Sequence, residues 1–269
     1  MASPYVFQSG GGSLGARLAT RKPVYMSGVT WYVSSSNGSD AGGTRGQQRL
    51  RPLATLAQAY TNASAGDTII CLAGHAETLT AAQTLGKAGL HLYGEGSGSS
   101  VPQFTCNGAI AMFDVTADGV WIENLKFPQS GTAPTARVRI ASLGTQVVGC
   151  TFESGANDTA PALKYVTGAG KARVVNTTFT STATSLSSQP SIGLEVANAM
   201  SDLELDTVVF SGGSYGWSDF AFKGTAAITR LVGIDVDLLL DADLYVATGS
   251  VYRFHNRNAS SSARLDFTA

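Results

Sequence analysis

Five times from residue 120 onward the same phrase returns: two apolar or inward-type residues spaced by two, a small or polar bend residue, another inward-type residue, and a closing apolar one. The copies are Val120, Ile122, Asn124, Leu125, Phe127; Thr145, Val147, Gly149, Cys150, Phe152; Ala172, Val174, Asn176, Thr177, Phe179; Leu203, Leu205, Thr207, Val208, Phe210; and Thr229, Leu231, Gly233, Ile234, Val236. The closing residue advances by 25, 27, 31 and 26 positions. A repeat of this length signals stacked supersecondary units, and period-two alternation inside each copy makes them strands. The chain therefore reads as a β-solenoid.

A shorter apolar segment precedes each copy across a turn: Met112 to Val115, Val138 to Ile140, Leu163 to Val166, Ile192 to Val196, and Phe220 to Phe222. Each coil thus carries at least two strands meeting at a corner, and the variable length falls at another corner. Gly, Asn and Thr suit the bend because they hold turn conformations at low cost. Asn124 and Asn176 fit it best but are not in adjacent coils, so no continuous asparagine ladder is expected. Leu90 and Leu92 look like an earlier coil and Leu244 to Phe254 like a last one. Seven coils at about 4.8 Å each give a rod roughly 34 Å long.

The repeat argues for one long domain in these 269 residues. Charged residues make up 14% and the net charge is −1, which gives no electrostatic reason to expect nucleic acid or a charged membrane as partner. No apolar run reaches the ~18 residues that span a bilayer, and the opening lacks a charged-then-apolar signal region. These features point to synthesis in a cytoplasm, with release as part of a particle left open. Cys71, Cys106 and Cys150 are odd in number and show no CxxC spacing, so they read as small buried hydrophobes. His75, His91 and His255 lack HxH or HExxH spacing, so no zinc-type site and no cofactor is expected.

Residues 1–28 form a Gly/Ser-rich arm without periodicity, read as an extended attachment arm ordered by a partner. Its particle-binding candidates are Tyr5, Phe7, Arg17, Arg21 and Lys22. Residues 29–89 hold an entry strand, a capping helix over Pro52 to Tyr60 and a first coil. The helical face is Leu53, Leu56, Ala57 and Tyr60, and its purpose is to cover the open end of the core. Residues 90–255 are the coils, and residues 256–269 a tail or cap.

The succession YVSSSNGSDAGG, RPLATLAQAY, AGDTIICLAGHAETL, GLHLYGEG and DGVWIENLKF resembles the opening of pectate-lyase-like right-handed parallel β-helix proteins. The resemblance covers roughly residues 31 to 255. It implies an all-β, single-stranded right-handed parallel β-helix with a short N-terminal capping helix. It does not select a function, because that superfamily includes polysaccharide lyases, glycoside hydrolases, bacteriophage tailspikes and non-enzymatic virion proteins.

The resemblance to lyases implies a Ca²⁺ site of stacked carboxylates beside an Arg or Lys base. Candidate acids are Asp114, Asp118, Glu123, Asp235, Asp237, Asp241 and Asp243. Asp235 and Asp237 alternate with Ile234 and Val236, which would put both carboxylates on the outside of one strand, within reach of a hard cation. Outward Asp on a solenoid is ordinarily solvation, and the acids do not recur at equivalent positions, so no metal site is assigned. A hydrolase pair at roughly 5 to 9 Å is a test that almost any β-helix passes. No Arg or Lys follows a catalytic motif of that superfamily, and Lys126, Arg137, Arg139, Lys164, Lys171 and Arg173 read equally well as solvent-facing coil residues. No catalytic residue is assigned.

Trp121 and Trp217 are the best outward aromatics, as sugar platforms or subunit contacts. The three consecutive leucines Leu238, Leu239 and Leu240 break the in-out alternation, so at least one points outward unless another chain covers it. With Trp217 and Phe220 they form the candidate subunit interface. The leading expectation is a bacteriophage virion structural protein, a trimeric decoration protein held on the capsid exterior through the major capsid protein or another virion protein. The alternative is a tailspike-like binder of host surface glycan, with or without cleavage. The third is a polysaccharide lyase or glycoside hydrolase.

Overall fold

The structure, a computed structural model, describes residues 28–42, 45–129, 134–155, 158–185, 189–212, 216–239, 244–246, 252–259 and 265–267. The arm residues Tyr5, Phe7, Arg17, Arg21 and Lys22, together with Leu240, Asp241 and Asp243, lie outside them.

Three ladders of parallel strands wind around one core. The first stacks β1 (Thr30–Val33), β2 (Thr68–Cys71), β5 (His91–Gly94), β8 (Trp121–Glu123), β11 (Gln146–Val148), β14 (Ala172–Val175) and β17 (Met200–Asp206). The second stacks β3 (Ala76–Leu79), β6 (Gln103–Cys106), β9 (Lys126–Phe127), β12 (Thr151–Ser154), β15 (Thr178–Ser181) and β18 (Val209–Ser211). β20 (Ile228–Leu239) is long enough to round the corner and pair with both β17 and β18, and β22 (Tyr252–Ala259) pairs with it in turn. That joins two ladders into one 15-stranded sheet. The third ladder is an 8-stranded sheet of β4 (Gln83–Leu85), β7 (Ala111–Val115), β10 (Ala136–Ile140), β13 (Leu163–Tyr165), β16 (Ile192–Val196), β19 (Phe220–Gly224), β21 (Leu244–Val246) and β23 (Leu265–Phe267). The chain is an all-β parallel β-helix, and its ladders run on past residue 255.

The repeated phrase fixes the coil geometry through one backbone position. Asn124, Asn176, Thr207 and Asp235 have φ of 53°, 48°, 55° and 51°, and Gly149 has 62°. A left-handed residue turns the chain from the first ladder into the second, which is why Asn and Gly recur there. Asn124 adds a cross-coil tie, its Nδ2 donating to the carbonyls of Gly94 at 2.6 Å and Gly96 at 3.1 Å. Gly94 itself tolerates no side chain, since a Cβ would sit 2.1 Å from the Asn124 carbonyl.

Phe127, Phe152, Phe179 and Phe210 form the inward column expected of closing residues. All are fully buried, and their ring centroids are 4.8, 4.9 and 5.0 Å apart at 7°, 5° and 12°. Below them Phe113 from the third ladder packs edge-on between Phe104 and Phe127. The fifth copy is displaced from the sequence reading by two residues. Leu231 and Gly233 pair with Leu203 and Leu205, and Leu238 pairs with Phe210. The bend is therefore Asp235 rather than Gly233, and the closing residue is Leu238 rather than Val236.

The capping helix α1 spans Leu56–Asn62, not Pro52 to Tyr60. Thr55 is its N-cap, with Oγ1 accepting from the Gln58 N–H at 3.2 Å, while Leu53 is extended and bridges to Val33. Asp40 holds this start by accepting from the Ala54 N–H and the Thr55 hydroxyl, each at 2.7 Å. Leu56 and Ala59 join the core beside β1 and β2.

Candidate functional site

Outward residues of adjacent coils lie in register about 4.8 Å apart, so the exterior is a grid of cross-coil neighbours. Much of it is ion-paired. Arg139 makes two hydrogen bonds to Asp114, at 2.9 and 2.8 Å. Lys126 pairs with Glu153 at 2.9 Å, Lys164 with Glu195 at 3.0 Å, Arg173 with Glu204 at 2.8 Å and Arg230 with Asp202 at 2.7 Å. Asp118 is a turn residue that accepts from the Leu143 N–H at 2.9 Å.

Arg137 is not solvent-facing. Its strand phase points it outward, but Glu153, Ser154 and Asp158 enclose its guanidinium. Its guanidinium donates to Asp158 at 2.8 Å, to the Glu153 carbonyl at 2.5 Å and to Ser154 at 3.0 Å, and both charges are fully buried. Asp158 also accepts from the Gly155 N–H at 2.7 Å. The cluster pins the turn and is closed to substrate.

Several other sequence-stated sites change with the register. Asp235 occupies the bend and Asp237 lies beyond it, opposite Val209 and largely buried. The corner separates the two carboxylates, so they do not form an outward pair on one strand. Among the described residues, no group of three or more His, Cys, Asp or Glu is placed to hold a metal ion. Trp217 is a core residue, not an outward one, and lies 3.2 Å from where a Cβ on Gly193 would be. Leu238 is fully buried because it closes its coil. Neither contributes exposed surface to a subunit interface. Leu239 and Phe220 remain partly exposed, and the Phe220 ring rests against Tyr245 at 5.3 Å.

One patch of the exterior differs from the ion-paired grid. On β5, His91 and Tyr93 flank inward Leu92; on β8, Trp121 and Glu123 flank inward Ile122. Register places His91 beside Trp121 and Tyr93 beside Glu123. His91 Nε2 lies 2.9 Å from Glu123 Oε2, and its ring is 5.3 Å from that of Trp121 and 5.9 Å from that of Tyr93. Arg49 pairs with Glu95 at the edge of the patch. Burial first, then the carboxylates of Glu123 and Glu95, push the Tyr93 hydroxyl above its ordinary pKa, so it stays a proton donor. Trp121 was legible as outward; His91, Tyr93 and Glu123 as its companions were not. Laying GLHLYGEG over GVWIENLK with Leu92 on Ile122 would have brought the four together.

His75 forms a different arrangement. Its buried ring accepts from the Ser35 N–H at Nδ1, 2.9 Å, and meets Glu77 at Nε2, 3.1 Å, while Glu77 accepts from the Leu56 N–H at 2.9 Å. This chain latches the capping helix to the first coil. Cys71, Cys106 and Cys150 are buried and form no disulfide. No helix among the described residues is long and apolar enough to cross a membrane.

No protein-family model matches the chain, and no curated protein sequence matches it. Among solved structures, the crystal structure of the pectate lyase Pel9A is similar over 87% of this chain and 78% of that one, at 14% identity and a TM-score of 0.46. What the strand pairing itself shows is a parallel β-helix.

Proposed function

We propose that this chain is a structural β-helix of a bacteriophage particle, a trimeric decoration protein on the capsid exterior that acts by binding and not by cleavage. The observation that supports binding over cleavage is the state of the candidate bases. Lys126, Arg139, Lys164 and Arg173 are each held by a carboxylate from a neighbouring coil and Arg137 is buried with Asp158, while Lys171 stands exposed at a left-handed corner. A base for proton abstraction must bring its nitrogen to the substrate proton, and in these ion pairs the nitrogen is already engaged by a carboxylate. The arm of residues 1–28, with Tyr5, Phe7, Arg17, Arg21 and Lys22, supports the particle reading as the proposed attachment.

The test is co-sedimentation with empty bacteriophage capsid shells, using the full protein and a variant lacking residues 2–22. Binding by the full chain and loss in a truncated protein with an unchanged melting temperature is the expected result. Release of reducing ends or unsaturated uronates from polygalacturonate would replace this reading with a lyase or hydrolase. A tailspike-like receptor binder is the second reading, favoured by the aromatic patch on β5 and β8.

A further inference from the structure

We propose that the patch formed by His91, Tyr93, Trp121 and Glu123 is a binding site for an uncharged glycan. The chemistry that recognises a sugar is an aromatic face for its C–H surface together with fixed polar groups for its hydroxyls. All of these occur here within two adjacent strands. Trp121 and Tyr93 supply large, partly exposed rings diagonally across the grid. The Glu123 carboxylate accepts from His91 and has a second oxygen for a ligand hydroxyl. Tyr93 supplies a phenolic hydroxyl, a donor for a sugar oxygen. The indole Nε1–H of Trp121 is buried and has no hydrogen-bond partner among the described residues, so the indole offers its ring to a ligand.

Charge selects the class of sugar. Arg49 is neutralised by Glu95, and Glu123 faces a single imidazole. The patch therefore presents a carboxylate and no unpaired cation among its residues. A uronate or sialate carboxylate would meet Glu123 without a free cation in the patch, and such like-charge contact is unfavourable. Neutral hexoses and N-acylated amino sugars meet no such penalty. The patch is also rigid, because Leu92 and Ile122 anchor both strands in the core, and a site held by packed strands loses little order on binding.

The proposal is tested with fluorescently labelled full-length protein on an array of bacterial surface glycans, neutral and acidic. Calorimetric titration follows with the soluble form of the brightest neutral glycan, and with trigalacturonate as the charged probe. Binding of the neutral glycan is expected to weaken at least tenfold in Trp121→Ala and in Tyr93→Ala, and to survive largely in Trp121→Phe. Should the alanine variants fail to fold, the wild-type protein decides the matter by NMR. The neutral glycan should shift the indole N–H resonance of Trp121 and leave that of core-buried Trp217 in place. No binding on the array, preference for trigalacturonate, or a Trp121 resonance unmoved at saturation would overturn the site. None of these outcomes bears on capsid co-sedimentation, so this proposal and the particle reading fail separately.

Discussion

Phe152→Ala removes the ring at the middle of the phenylalanine column. The ring is fully buried and stacked on both sides, 4.8 Å from Phe127 and 4.9 Å from Phe179. Burial of such a side chain contributes about 1.5 to 3 kcal/mol, and a Phe→Ala change in a core costs about 3 to 5 kcal/mol once the cavity is included. The cavity decides where in that range the value falls. The gap could close only if Phe127 and Phe179 approached each other, but β9 and β15 are each held in register by β12 between them. The site cannot collapse, so we expect about 4 to 5 kcal/mol. At roughly 2 to 4 °C per kcal/mol for chains of this order, the melting temperature falls by about 8 to 20 °C. Phe210→Ala is the internal comparison. Phe210 stacks on Phe179 alone and meets Leu238 on its other side, so its loss should be smaller by one aromatic contact, about 0.5 to 1.5 kcal/mol. Guanidinium unfolding followed by circular dichroism measures both. A Phe152→Ala loss below about 2 kcal/mol, or equal losses at the two positions, would show that the column relaxes and that stacking does not hold the coils.

Other expectations are independent of that column. Thr207 is β-branched and left-handed, at φ 55°, so Thr207→Gly should raise stability by about 0.5 to 1 kcal/mol in the same unfolding assay. Asp158→Asn should cost about 3 to 5 kcal/mol by stranding the buried Arg137, whereas Arg137→Met with Asp158→Leu should recover most of it. Burial pushes the Cys150 thiol up to about 12, and burial followed by Glu77 pushes Cys71 up as well, both from 9.0. The folded state thus keeps protons that the unfolded state releases. Stability is complete below pH 9 and declines as pH rises from 9 toward 12, read as a melting temperature that falls less steeply in Cys150→Ala.

The sequence made the coil phase legible wherever a phenylalanine closed the phrase. Phe127, Phe152, Phe179 and Phe210 are bulky, inward and separated by one coil each, so a register error would have exposed a large ring. In the fifth coil the closing position holds Leu238, and Val236 two residues earlier has the same strand phase. Alternation cannot distinguish positions two apart. The deciding feature was the left-handed bend at Asp235, a backbone property that an aspartate does not announce. The same slip moved Asp237 off the supposed outward pair and turned Leu238 from a surface residue into a core one. Helix α1 started late for a related reason: Leu53 has helical spacing with Leu56, but pairing with Val33 and the Thr55 cap take it into extended structure.

The functional patch was hidden because its members are neighbours only across coils. His91 and Glu123 are 32 positions apart, and neither residue type in its local context signals the other. Once Leu92 and Ile122 are stacked, however, the outward pair on each strand follows without further freedom. The inward residue sets the coil register, and the register brings His91 to Trp121 and Tyr93 to Glu123. The same rule brings Arg139 to Asp114 and Arg173 to Glu204 on later coils, where the result is charge pairing. Exterior chemistry on this fold is thus specified coil by coil, while the inward columns remain constant. That separation carries a test of its own: exchanging His91, Tyr93, Trp121 and Glu123 together for the Gln146 and Val148 pattern of β11 should abolish glycan binding and leave the phenylalanine column and the coil register intact. A collapse of the fold on that exchange would show that the patch is part of the scaffold rather than a site laid upon it.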